Sequence, residues 1–436
     1  MSNKLSLFPP NTTITTEGQL TLNGHAAVEL ARQFGTPLYV YDVATIHQQI
    51  RAYRQGLARY AGSSLLTYAS KAFLCTALVR LMTDAGVGLD VASAGEIFIA
   101  ERGGADPTAM HLHGNNKSAL DLREALRAGV GRIVVDNADE LASLTKMAAE
   151  HGQPVKIWLR ITPDVAVETV HEYTVTGTAD SKFGFPIEAA DSVARELLSQ
   201  NSPIELTGLH VHLGSHFHDA GPVARALERL LELAAGWRHE FDWPFSELCA
   251  GGGWGVRYHP DDPPMPVEPF VAGVTAAVER GCRLRNLSLP QLILEPGRSL
   301  VGQAGVALYT VGGRKVMPGG RTYVSIDGGL ADNPRPALYR ANYTAVLANR
   351  AGEPETETVA IAGPYCETGD ILIQAVDLPA AQPGDILAIP VAGAYQLAMS
   401  SNYNAALKPA VVFGEENGVK LIQRRETFED LIRRDV

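Results

Sequence analysis

Nowhere in its 436 residues does this chain hold about 18 consecutive apolar residues, which excludes a membrane-spanning helix. An excess of basic charge is missing as well. The 37 Lys and Arg stand against 48 Asp and Glu, a net −11 that argues against nucleic acid and anionic membrane as partners. Cysteine is scarce. Cys75, Cys249, Cys282 and Cys366 lie far apart with no Cys-x-x-Cys pair, so no metal site is expected and a reducing, cytoplasmic location is. The opening Met1–Pro10 lacks the apolar core of a signal peptide, so Asn11-Thr12-Thr13 reads as a chance glycosylation match. No internal repeat and no low-complexity linker stands out. What remains is an ordinary globular balance, 46% hydrophobic and 19% charged, with length enough for two domains or one large barrel with an appendage.

From about Thr36 to Ser299 one unit recurs: a short apolar strand, a polar or glycine-rich turn, then an amphipathic helix. Strands are expected at Leu65–Ala69, Gly88–Ala92, Met110–His113, Arg132–Val135, Val155–Ile161, Thr207–Leu213, Glu247–Ala250 and Gln291–Leu294. Eight such repeats over about 250 residues predict an α/β domain, a closed (β/α)8 barrel of the TIM type at 36–299, ahead of an open doubly wound sheet. After Ser299 come short strands split by turns such as Pro318-Gly319-Gly320 and Asn417-Gly418, and Asn11–Gly24 reads as a hairpin. Residues 1–35 and 300–436 are therefore expected to form one all-β domain, a sandwich or barrel built from both chain ends.

The expected strand ends carry Lys71, Asp90, His113 with Asn115, Asp136, Arg160, His212, Gly251–Gly253 and Glu295. A barrel gathers such ends on one face, where barrel enzymes build their sites. A lysine closing a buried strand must be paired, reach water or lose its charge, and a desolvated lysine is what Schiff-base chemistry requires. Glycines directly after a strand let backbone N–H groups approach a phosphate. His210-Val211-His212 would present two imidazoles on one strand face, as a metal pair or with His212 as a flat surface against an aromatic ring. No cysteine and only Asp219 among carboxylates lies beside them, so the stacking reading is preferred, with Ser215 offering a hydroxyl to phosphate. Lysine, phosphate nest, stacking face and carboxylate together describe a pyridoxal phosphate site. Glu295 would hold the pyridine nitrogen protonated, which suits carbanion chemistry better than a neutral or arginine partner would.

Tyr68-Ala69-Ser70-Lys71-Ala72, His210–Ser215, Gly251–Gly253 and Glu295-Pro296-Gly297-Arg298 resemble the motifs of fold-type III pyridoxal phosphate-dependent decarboxylases. Asp327-Gly328-Gly329, Asn333–Tyr339, Gly363–Asp370, Gly393-Ala394-Tyr395 and the stretch from His171-Glu172-Tyr173 to Gly184 narrow the resemblance to the diaminopimelate decarboxylase family. It runs from about Pro37 to Val412. The resemblance implies pyridoxal 5′-phosphate as cofactor and decarboxylation of meso-2,6-diaminopimelate to L-lysine. By motif, Lys71 and Cys366 would be catalytic, with Lys71 the cofactor lysine and Cys366 the proton donor. Asp90, His212, Ser215, Gly252, Gly253, Glu295, Gly297, Arg298 and Tyr395 would hold the cofactor. Arg298, Arg335, Tyr339, Glu367 and Tyr395 would contact substrate, and a homodimer with shared sites is implied. Two arginines for a distal carboxylate and one glutamate for its ammonium suit a substrate with amino-acid groups at both ends. Ornithine or arginine would need acidic groups there instead. A racemase and a non-catalytic cofactor-binding protein are the other readings. Thr368 in place of the usual serine, Gln396-Leu397-Ala398 and Ala405–Pro409 depart from the family pattern.

Overall fold

The computed structural model describes residues 2–165 and 180–436, so His171-Glu172-Tyr173 of the family motif lies outside the described residues. Two compact units are present: Gln49–Gly255 with Met265–Gly297, and Met1–Gln48 with Val256–Pro264 and Arg298–Val436.

The first unit is a closed barrel of eight parallel strands. In order they are Ser64–Ala69, Gly88–Val91, Met110–Leu112, Arg132–Val135, Val155–Thr162, Ile204–His210, Glu247–Cys249 and Gln291–Leu294. Pairing of the eighth with the first and of the fourth with the fifth closes the ring. Helices cover the outside, so most of these strands are buried on both faces and read as continuous apolar runs. Val134, Trp158, Cys249 and Ile293 pack together as one core cluster.

The sixth strand departs from the sequence expectation. It spans Ile204–His210 rather than Thr207–Leu213, and its register against the fifth strand shifts between Leu206 and Gly208. Its earlier start takes up residues that read as loop, and His212 falls beyond its end. His210 and His212 therefore do not share a strand face.

Glu247 opens the seventh strand, at the end opposite the ring of polar strand ends. Its carboxylate accepts from Arg132 Nε at 2.7 Å, Trp158 Nε1 at 2.8 Å and Thr207 Oγ1 at 2.6 Å. Burial alone would raise this carboxyl; the Arg132 guanidinium with the two neutral donors overcomes it and brings the pKa down to about 2. A depressed carboxyl stabilises the fold above its ordinary pKa near 4.5, and that stability is lost as pH falls towards 2. With a side chain only 8% exposed, the contribution is about 3 kcal/mol. Glu247→Gln is expected to lower stability by that order at pH 7 and to flatten the acid limb of the denaturation curve. An unchanged limb would remove Glu247 from this role.

The second unit is built from both chain ends. Its sheet runs Ile371–Leu378, Glu357–Ala362, Thr322–Ile326, Gly305–Val316, Leu38–Asp42, Ala410–Glu415, Gly418–Gln423. Gly305–Val316 is its spine, since Ile386–Ile389 also pairs with it. Leu20, Leu22, Leu38 and Val40 from the start of the chain share one core with Val306, Leu308, Ile386 and Val412. The segment Leu38–Asp42 lies inside the stretch expected to be barrel, yet it lies between Gly305–Val316 and Ala410–Glu415 in this sheet.

Candidate active site

Lys71 sits in a single 3-10 turn, Ser70–Ala72, just past the first barrel strand. The Tyr68 hydroxyl closes that turn, donating to Phe73 O at 2.7 Å and accepting from Phe73 N at 3.1 Å. Gly297 backs the turn: a Cβ there would come 3.1 Å from the Cβ atoms of both Ala69 and Ala72. Lys71 is exposed rather than desolvated, which corrects the sequence expectation. The buried lysine of this unit is Lys117, whose ammonium is committed to Glu140 Oε1 at 2.7 Å, Gly114 O at 2.8 Å and Val134 O at 2.6 Å. Burial pushes the Lys117 pKa down, against the Glu140 charge. Lys71 is the lysine of the two left accessible for covalent work.

Glu295 follows the last barrel strand and is buried. It accepts from His113 Nε2 at 2.9 Å on one oxygen and from His210 Nε2 at 3.1 Å on the other. Burial alone would raise this carboxyl; the imidazoles outweigh it and hold Glu295 well below the usual carboxylate range. His210 is driven down to about 3, chiefly by burial. It is therefore neutral, with its one proton on the Nε2 that faces Glu295. His113, His210 and Glu295 place three ligand-type atoms within 4.8 Å of one another. Both imidazole Nε2 atoms spend their lone-pair position on a proton given to Glu295, so the group reads as a hydrogen-bonded carboxylate rather than a cation site.

Asp90 lies beside this cluster, its Oδ1 3.7 Å from His113 Nε2. Burial raises its carboxyl, while the fields of His113 and Lys71 work against that. Glu96 is pushed up to about 7 by burial, with Lys71 among the charges opposing the rise. His212 is held well below its ordinary pKa by burial and by the Lys71 charge, so its ring is neutral. Its Nδ1 accepts from Gly252 N at 3.3 Å, which fixes the ring over the glycine run. The Gly252 N–H is thus turned to His212, while Gly253 N–H has no acceptor among the described residues. Gly253 has φ +94°, a conformation that favours glycine, and its carbonyl accepts from His216 N at 2.8 Å and Phe217 N at 3.2 Å. That pairing draws the Ser215 loop onto the glycine loop.

These residues fit pyridoxal phosphate by their chemistry: an accessible amine, an ionised buried carboxylate for a protonated ring nitrogen, a neutral flat imidazole, and a backbone N–H with a nearby hydroxyl for phosphate. Arg160 and Asp136 at neighbouring strand ends are occupied otherwise. Arg160 Nε stands 3.8 Å from Asp136, with its guanidinium 4.3 Å over the Phe183 ring.

In the other unit, Arg298 and Arg335 are both buried. Arg298 donates to the Tyr258 hydroxyl at 2.6 Å and lies 4.6 Å over the Tyr395 ring. Arg335 donates to the Tyr343 hydroxyl and lies 4.5 Å over Tyr258. Cys366 and Glu367 are exposed on the Gly363–Asp370 loop, which Asp370 ties to Leu330 N at 2.7 Å and Tyr365 N at 2.9 Å. Glu367 accepts from the Tyr403 hydroxyl at 2.7 Å, and Cys366 N donates to Asn404 at 3.1 Å. Tyr339 is half-buried at the end of the short helix that Arg335 begins. Sequence reasoning passed over Tyr258 and Tyr343, which no spacing rule marks. It marked His113 and His210 as polar residues without seeing that both serve Glu295.

Residues 43–302 match the family "Pyridoxal-dependent decarboxylase, pyridoxal binding domain". The chain is 43% identical to a diaminopimelate decarboxylase from Bacillus subtilis, over 96% of this chain and 95% of that protein. It is also 43% identical to one from Synechocystis sp., over 99% and 93%. The crystal structure of a diaminopimelate decarboxylase from M. jannaschii in co-complex with L-lysine superposes with a TM-score of 0.91 at 30% identity, covering 98% of each chain. With eight parallel strands, an accessible lysine and an ionised glutamate in place, this chain belongs to the diaminopimelate decarboxylases, pyridoxal phosphate-dependent lyases of the (β/α)8-plus-β-domain fold.

Proposed function

We propose that this chain removes carbon dioxide from meso-2,6-diaminopimelate to give L-lysine, the last step of lysine biosynthesis. The observation that carries the choice of substrate is Arg335. It is buried, and among the described residues it pairs with no carboxylate, only with tyrosines. A buried guanidinium without an acidic partner is a receptor for a carboxylate supplied from outside. Ornithine and arginine carry no carboxylate at their distal end.

Pyridoxal phosphate, when bound, supplies the electron sink that takes up the pair left behind as carbon dioxide departs. Lys71 supplies the tethering amine, and Asp90, Ser215, Gly252, Gly253 and Gly297 help hold the cofactor. Glu295 keeps negative charge against a ring nitrogen and so keeps a proton there; His212 offers its flat face. Arg298 and Arg335 bind the distal carboxylate, Glu367 takes the distal ammonium, and Tyr339 and Tyr395 pack against substrate. Cys366 holds the proton at Sγ that is returned to the reacting carbon, with Lys71 as the other candidate donor. Exposure of Cys366 and Glu367 in the single chain supports a homodimer in which they serve the neighbouring copy's lysine. Four free cysteines and the acidic net charge suit a cytoplasmic enzyme. No helix among the described residues is long and apolar enough to cross a membrane.

Carbon dioxide release from a panel of meso-diaminopimelate, L-ornithine, L-arginine and L-lysine tests the reading. Turnover is expected on the first alone. Activity on ornithine without activity on diaminopimelate would overturn it.

A further inference from the structure

Two guanidinium groups in one buried place repel each other, and something must hold them. In this unit Tyr258 touches both. Its hydroxyl accepts from Arg298 at 2.6 Å, and its ring face lies 4.5 Å below the Arg335 guanidinium. The ring is itself fixed edge-on against Tyr343, with centroids 5.4 Å apart and planes at 87°. Its backbone is fixed by a tight turn in which Asp262 accepts from both Tyr258 N and His259 N at 2.8 Å. Tyr343 is held in turn. Its hydroxyl accepts from Gln396 Nε2 at 3.0 Å, and the single Tyr39 O–H lies within reach of both Gln396 Oε1 at 2.9 Å and Asp332 at 3.0 Å. Both arginines, Tyr258, Tyr343, Gln396, Tyr39 and Asp332 are buried, so a displaced arginine would find little water to replace what it lost.

We propose that Tyr258 is the positioning residue that sets Arg298 and Arg335 as a preformed receptor for the carboxylate at the distal end of the substrate. The ring gives each arginine a different hold, a hydrogen bond at its edge and a cation–π contact on its face, so the two cations sit in fixed relation before substrate arrives. Burial would raise the Tyr258 phenol, but the Arg298 and Arg335 charges overcome it and bring it below the usual tyrosine value. Gln396, one of the positions departing from the family pattern, is part of the support for this pair.

The proposal rests on the diaminopimelate reading, and the test separates the two. The holoenzyme, Tyr258→Phe, Arg298→Lys and the double variant are assayed for decarboxylation of meso-diaminopimelate. Inhibition by L-lysine, which keeps the distal carboxylate, and by cadaverine, which lacks it, is measured alongside. Tyr258→Phe keeps the ring and removes one hydrogen bond to a charged group. It is expected to raise KM and the L-lysine inhibition constant about 10-fold or more, with kcat changed far less and cadaverine inhibition unchanged. If Tyr258 acts through the arginines, the double variant falls well short of the product of the single penalties. Unchanged KM, equal weakening of L-lysine and cadaverine, or multiplicative penalties would each overturn the proposal. Should Tyr258→Phe not yield folded holoenzyme, Tyr258→His, which keeps a flat ring and a hydrogen-bonding nitrogen, takes its place. Failure of both to fold makes Tyr258 structural and also overturns it. A wild-type enzyme that releases no carbon dioxide from diaminopimelate refutes the substrate reading instead.

Discussion

Lys71→Ala is expected to lower decarboxylation by about 10⁴-fold or more, the order seen when one member of a covalent-catalytic set is removed. The visible absorbance of the lysine-bound cofactor disappears with it. The amine is exposed on a short turn that Tyr68 closes through Phe73, so removing it disturbs no buried packing and the variant should fold. Thermal denaturation of the cofactor-free variant checks that point separately. Lys117 cannot substitute, because its ammonium is buried against Glu140 and two carbonyls. Loss of the Lys71 charge also removes a field that lowers the carboxyls of Asp90 and Glu96, so both should titrate higher in the variant. A variant that kept the absorbance would transfer the role to another amine and undo the lysine assignment.

Glu295→Gln should act differently. The cofactor remains bound and coloured, while kcat falls by roughly 10²–10³-fold, the usual loss when one preorganised electrostatic group is removed. The carboxylate offers one oxygen to His113 and the other to His210. An amide offers one oxygen and one N–H, so one imidazole must change tautomer or lose its bond. More important, a neutral side chain no longer favours a proton on a ring nitrogen placed against it. Single-turnover kinetics on diaminopimelate locate the loss in the chemical step. A variant with full kcat would show that the negative charge of Glu295 is not used.

Most of the barrel was legible because each strand is short, apolar and followed at once by a turn residue. The sixth strand was misplaced because the apolar run continues through Val211 and Leu213 although the pairing stops at His210, and with it went the idea that His210 and His212 share a strand face. Glu295 was legible as a strand-end carboxylate inside a distinctive motif. Its two imidazoles were not, since they come from residues 182 and 85 positions away. Lys71 was legible as the lysine just past the first strand inside a distinctive motif; that its side chain is exposed rather than desolvated was not. Tyr258 was invisible because aromatic residues after a glycine turn are common, and only the fold of its own unit brings Arg298 and Arg335 to it.

The place of Leu38–Asp42 carries a consequence for synthesis. Its antiparallel neighbour begins at Gly305 and its parallel neighbour at Ala410, so the strand leaves the ribosome with neither partner made. About 260 residues must follow before the first partner appears. At about 5–20 residues per second that is a wait of tens of seconds, with the apolar Leu38, Val40 and Tyr41 uncovered. All eight barrel strands emerge within that interval. The nascent enzyme thus passes through a stage in which all eight barrel strands have been made while Leu38–Asp42 still has no sheet to join.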